Sequence, residues 1–167
     1  NKWYHIAVVR TFYNYIILYI NGVEDKRHYI DNYNFYSTRT LDIGTYRDTS
    51  NNPHYYFNGY LDNIKIIKGK AIYTDNFYIS VPHHTYKVDN YIFNGSTDYL
   101  EIPENIAPQL AGSDFTIEFW AKLTDIGNVS SQTTFPIIEQ GTHSPNAWIL
   151  HAFTKKTDQK VSIIFEF

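Results

Sequence analysis

Hydrophobic positions recur with a period of two along most of the chain, the pattern of strands that bury one face. In Phe115–Leu123, the residues Phe115, Ile117, Phe119, Ala121 and Leu123 share one face, while Thr116, Glu118, Trp120 and Lys122 share the other. Ile16, Leu18 and Ile20 alternate with Ile17 and Tyr19 and lead into Asn21-Gly22. Asn-Gly after such a run predicts a tight hairpin, because both residues accept the positive φ of a type I′ turn. Further strands are expected over Tyr4–Arg10, Lys26–Ile30, Thr40–Ile43, Gly59–Ile67, Tyr91–Phe93, Tyr99–Ile102, Pro136–Glu139, Trp148–Ala152 and Val161–Phe167. Turn residues separate them at Asn51-Asn52-Pro53, Asn58-Gly59, Asn94-Gly95, Gly112-Ser113 and Ser144-Pro145. Only Ala71–Asn76 suggests a turn of helix. Many short strands at this spacing predict an all-β fold, an antiparallel β-sandwich (jelly roll).

Composition narrows the function classes. The chain has 167 residues, 43% hydrophobic and 19% charged, enough to build a core at single-domain length. Its net charge of -3 gives no basic footprint for nucleic acid. No apolar run approaches the roughly 18 residues of a membrane span, so membrane insertion is not expected. The absence of Cys removes disulfides, thiolate metal sites and thiol nucleophiles. With no Met, and ends that fall inside expected strands, the chain reads as an internal piece of a longer polypeptide. Aromatic residues reach 18%, including 16 Tyr, and supply many faces for stacking.

Two sets of motifs carry a family likeness. The stretches "NKWYHIAVVR", "ILYINGV", "LDIGTYR" and "YFNGYLDNIKIIKGKAIYTDNF" resemble the second half of a LamG-like jelly roll of the concanavalin A-like lectin/glucanase superfamily. "YIFNGSTDYLEIP" and "GSDFTIEFWAKL" resemble the opening of the same domain. The order is inverted. Residues 1–80 are similar to the closing half of such a domain, 81–88 read as a linker and 89–167 are similar to an opening half. Either the chain straddles two tandem domains or it is one permuted domain with adjacent ends. The tandem arrangement is preferred, because both ends fall mid-strand. The resemblance implies recognition of glycans or a glycosylated receptor, often with calcium near the rim. It also implies adhesion, and contact with other copies or domains of the parent chain. The tandem copies known in phage and giant-virus proteins imply an extracellular or virion-surface location. A purely structural decoration or assembly module is the alternative.

An enzyme is not expected. The glucanase branch carries E-x-D-x-x-E on one strand for retaining hydrolysis, and no such string occurs here. Glu118 and Glu139 each stand without a neighbouring carboxylate. For a sugar site, Tyr46, His54, Tyr55 and Tyr56 are the leading candidates, since they lie in a loop rich in Asn and Pro. Trp120, on the polar side of its strand, is a candidate stacking platform, although packing under a second layer competes with that role. Trp3 and Trp148 are assigned to the core, and His5 and Arg10 to structural roles. Asp62 and Asp98 are the candidate calcium ligands, with local turn-making as the competing role. Adjacent His83-His84 would point to opposite faces of a strand and suggests a solvated linker. Sequons occur at Asn94-Gly95-Ser96 and Asn128-Val129-Ser130, the first also reading as a turn.

Overall fold

A computed structural model describes residues 2–31, 33–79, 90–124, 133–141, 146–154 and 161–167. The expected linker 81–88 with His83-His84, the sequon at Asn128 and the Ser144-Pro145 turn lie outside the described residues. Among the described residues, thirteen strands follow one another: β1 Tyr4–Arg10, β2 Tyr15–Ile20, β3 Val23–Tyr29, β4 Leu41–Ile43, β5 Thr45–Arg47, β6 Pro53–Tyr56, β7 Asn58–Lys68, β8 Tyr91–Asn94, β9 Leu100–Ile102, β10 Phe115–Leu123, β11 Thr133–Gln140, β12 Trp148–Thr154 and β13 Val161–Glu166. One sheet has the order β3-β2-β1-β10-β7-β8, a second β13-β12-β11-β4-β9, and β5-β6 form a separate hairpin. Among the described residues the strand pairings are antiparallel, and the two large sheets pack into the sandwich that the alternation predicts.

The core fills the space between these sheets. Ile6, Val8, Leu18, Phe115, Ile117 and Phe119 come from one inner face, and Leu41, Ile138, Trp148 and Leu150 from the other. Burying each large side chain contributes on the order of 1.5–3 kcal/mol, and this term holds the two sheets together. Strands from both parts of the sequence share each sheet. β10 lies between β1 and β7, and β4 lies between β11 and β9. Within this chain, neither sheet belongs to one part alone.

The outer face of the first sheet is also covered, which the alternation alone does not show. The expected helical turn at Ala71–Asn76 does not form. Instead, the segment 69–79 runs across the sheet as a strap over a second small cluster of Ala7, Val9, Ile17 and Tyr19. Ile72 N–H donates to Thr116 Oγ1 at 2.9 Å, and Phe77 N–H to the Gly22 carbonyl at 2.8 Å. Tyr73 and Phe77 stack with ring centroids 3.6 Å apart. The expected Asn21-Gly22 turn forms, with both residues at positive φ, 52° and 77°. Gly22 answers a second demand too, since a Cβ there would lie 2.1 Å from the Phe77 carbonyl oxygen.

The core assignment holds for Trp148, which is 1% exposed, but not for Trp3. Trp3 is only half-buried, edge-on to Tyr60 at the sheet end, with Lys122 Nζ 5.8 Å above its ring. It lies one residue before β1 begins, beyond the strap's cover.

Candidate functional site

Two concavities stand out among the described residues. A groove of about 400 Å³ opens on the flank of the sandwich, lined by Ile16, Leu18, Phe165 and Phe167 together with Lys26, His28 and Glu166. A smaller cleft of about 290 Å³ lies on the outer face of the second sheet, lined by Tyr46, Tyr55, Thr134, Pro136, Ile149, His151 and Glu166. Sugar recognition needs aromatic faces beside polar groups. Both concavities offer some, but the smaller cleft sets two tyrosine rings beside His151 and Glu166.

The cleft has a local cause. The β5–β6 hairpin folds over β11 and places Tyr46 and Tyr55 side by side, ring centroids 5.8 Å apart. Gly44 lets the chain turn from β4 into this hairpin at φ 85°, where a Cβ would meet the Phe93 ring at 2.4 Å. Gly44 N–H donates to Ile137 O at 2.8 Å, and Phe57 N–H to Gly44 O at 2.8 Å. At the hairpin tip, Asp48 Oδ1 accepts from the N–H groups of Ser50 and Asn52, each at 2.9 Å. The Asn52 N–H bond is the leading cause that holds the Asp48 carboxyl below its usual range. On the floor, the β11–β12 register slips between Pro136 and Ile138. This bulge accommodates a residue without an N–H and keeps Pro136 opposite His151.

The four hairpin candidates therefore separate. Tyr46 and Tyr55 line the cleft. His54 is exposed and packs edge-on against Tyr55 at 4.4 Å, away from the lining. Tyr56 is half-buried, its hydroxyl donating to Pro53 O at 3.4 Å and its ring 6.4 Å from Tyr99. Strand alternation explains the split, because Tyr55 and Tyr56 point to opposite faces.

Trp120 does not present an open platform. It is 8% exposed, its ring edge-on to His5 at 5.3 Å on the face that carries the strap. Its neighbour Glu118 sits at the centre of a buried polar group. Lys65 Nζ donates to Glu118 at 2.8 Å and the Tyr73 hydroxyl at 2.6 Å, with His5 Nε2 at 3.6 Å. His5 foremost, then Lys65 and Tyr73, hold the Glu118 carboxyl down to about 2 against the opposing effect of burial. Burial, followed by the Glu118 charge, raises the Tyr73 hydroxyl well above its ordinary value. His5 and Arg10 are both buried, in keeping with structural roles.

Asp62 and Asp98, the expected calcium ligands, do not converge. Asp62 lies where the β7–β10 register slips, and its carboxylate accepts Asn63 N–H at 2.7 Å, with Asn63 at φ 51°. Asp98 belongs to the turn after β8, where it accepts Asn94 N–H at 3.2 Å. Asn94 pairs with Asn58, four residues before Asp62, or about 13 Å along the strand. Among the described residues, no three acidic or histidine side chains gather as a metal site. These donors do not fit an ion that takes six to eight oxygens.

Sequence reasoning missed an acidic row that crosses the second sheet and ends at the cleft. Register places Glu101, Asp42, Glu139, Ile149 and Glu166 directly opposite one another across β9, β4, β11, β12 and β13. Each residue comes from a different strand, so no local string reveals the row. Arg47 satisfies one end of it. Nε and Nη2 fork onto Asp42 at 2.6 and 2.8 Å, and Nη2 also reaches Glu101. The Asp42 bonds, foremost, raise the Arg47 guanidinium above its ordinary value. Glu139 is buried and accepts Arg47 N–H at 3.3 Å. Tyr46 is raised first by burial and then by the Glu139 charge. His151 Nε2 lies 3.8 Å from Glu166, yet burial outweighs that charge and lowers His151 below its ordinary value.

Comparison with known proteins agrees with this architecture. Residues 1–71, less than half of the chain, match a laminin G family model described as the concanavalin A-like lectin/glucanases superfamily. Neither the curated proteins nor the solved structures compared with the chain gave a match. The matched stretch and the antiparallel sandwich together support a LamG-like jelly roll. Such a fold supports a carbohydrate-binding or adhesion-type module at most; LamG-like folds are generally non-catalytic, and the superfamily also includes some glycosidases. No helix among the described residues is long and apolar enough to cross a membrane.

Proposed function

We propose that the chain is a non-catalytic recognition module that binds glycans, or a glycosylated receptor, in the cleft beneath the β5–β6 hairpin. The observation that carries this reading is the joint placement of Tyr46 and Tyr55 above His151 and Glu166. Tyrosine faces stack on the apolar side of a sugar ring, while the imidazole and the carboxylate meet its hydroxyls. The interleaved strands further support reading the two family-like segments as one permuted sandwich within this chain. An adhesive role on an extracellular or virion appendage follows from the family resemblance, and other copies of the parent chain are its expected neighbours. A glycan array, run in calcium and again in chelator, tests the reading. Binding that survives chelation and falls in Tyr55→Ala supports the cleft, and loss on chelation would return attention to Asp62 and Asp98. No binding from a folded sample would favour the assembly reading, for which the open edges of β3 and β13 beside the apolar groove are the relevant surface.

A further inference from the structure

The charge around the cleft limits the kind of sugar it can hold. Four of the five positions in the row across the second sheet are carboxylates, and neighbouring strands are about 4.8 Å apart. The guanidinium of Arg47 compensates Asp42 and Glu101 at the β9 end. Ile149 stands between Glu139 and Glu166 in the row, and Ile149 and Glu166 both line the cleft. Among the lining residues there is no Lys or Arg. The one imidazole there, His151, is 6% exposed and kept neutral by burial, with a buried Nδ1 that has no hydrogen-bond partner.

We infer that the cleft takes neutral, hydroxyl-bearing sugar residues and rejects sulfated, uronic and sialylated ones, with Glu166 as the discriminating charge. This rests on the glycan-binding reading above. A sulfate or carboxylate brought beside Glu166 inside the cleft meets a like charge, and no Lys or Arg among the described lining residues offsets it; such juxtapositions weaken binding strongly. A neutral ring loses nothing by the same approach, and its hydroxyls can donate to the carboxylate.

The experiment is calorimetric titration of the full chain with N-acetyllactosamine oligomers, and with their sialylated and sulfated derivatives, at low and at physiological salt. The neutral oligomer is expected to bind at least about tenfold more tightly than either acidic form. That gap should shrink in Glu166→Gln, and added salt should narrow it in the unaltered protein without any mutation. Equal or tighter binding of an acidic form, or a gap indifferent to both the substitution and salt, overturns the inference but leaves the glycan site standing. If neither neutral nor acidic oligomers bind a folded sample, the glycan reading falls and this inference falls with it.

Discussion

The Tyr73 hydroxyl donates to the Glu118 carboxylate at 2.6 Å, fastening the strap to the sheet at a point where both side chains leave solvent. Folding depresses the Glu118 carboxyl from 4.5 to about 2, so its contribution is present above about 4.5 and is lost as pH falls toward 2. On the order of 2–3 kcal/mol is at stake. Glu118→Gln should therefore destabilise the protein at neutral pH and flatten the acid limb of its stability curve. Tyr73→Phe should cost about 1–2 kcal/mol. Urea unfolding at pH 7 and pH 3 checks both, and an unchanged acid limb in Glu118→Gln would count against this account.

Arg47 makes a different kind of contribution, pairing with a buried carboxylate. Asp42 is fully buried, and the fork from Arg47 meets both of its oxygens. Arg47→Met should cost about 3–5 kcal/mol, because it strands that charge. Adding Asp42→Asn to the same chain should recover part of the loss. Denaturant midpoints of the single and double variants measure the difference.

His151 introduces a second pH window. Burial lowers its folded value below 6.5, so the unfolded chain binds more protons as pH falls through that range, and stability declines with it. Melting temperature should drop between pH 8 and pH 5, and His151→Leu should remove much of that slope while leaving the Glu118 window untouched. Scans at three pH values distinguish the two groups.

Tyr55 is 54% exposed, so its removal tests recognition more than packing. Tyr55→Ala should weaken glycan binding by about tenfold, the worth of one stacked ring. Its effect on stability should stay near or below about 1 kcal/mol. A variant that melts early and binds normally would reverse this assignment.

The long alternating strands were legible from sequence because one face of each meets the core. β1, β2 and β10 appear nearly as the period predicts. β5 and β6 were not, since three and four residues interrupted by Asn and Pro leave no period to read. Tyr46 and Tyr55 were found as part of the same exposed stretch, but only the hairpin's pairing separates them from His54 and Tyr56. Trp120 has a polar pattern of neighbours yet is buried, on a face crossed by a strap whose only sequence signal, a helical turn at Ala71–Asn76, did not point to such cover. Glu139 is solitary in sequence and stands beside Asp42 in space, a relationship that exists only once β4 pairs with β11.

The placement of β10 between β1 and β7, and of β4 between β11 and β9, bears on how the chain reaches this state. Residues 1–79 without their partners would leave β1 and β7 facing a gap one strand wide, and residues 90–167 would lack β4 to join β9 to β11. Neither piece has a cooperative unit of its own, so assembly waits on pairings between distant parts of the chain and is intrinsically slow. The same dependence makes the molecule a natural split reporter. Severed between 80 and 89, its two pieces would stay unstructured apart and regain order only on meeting.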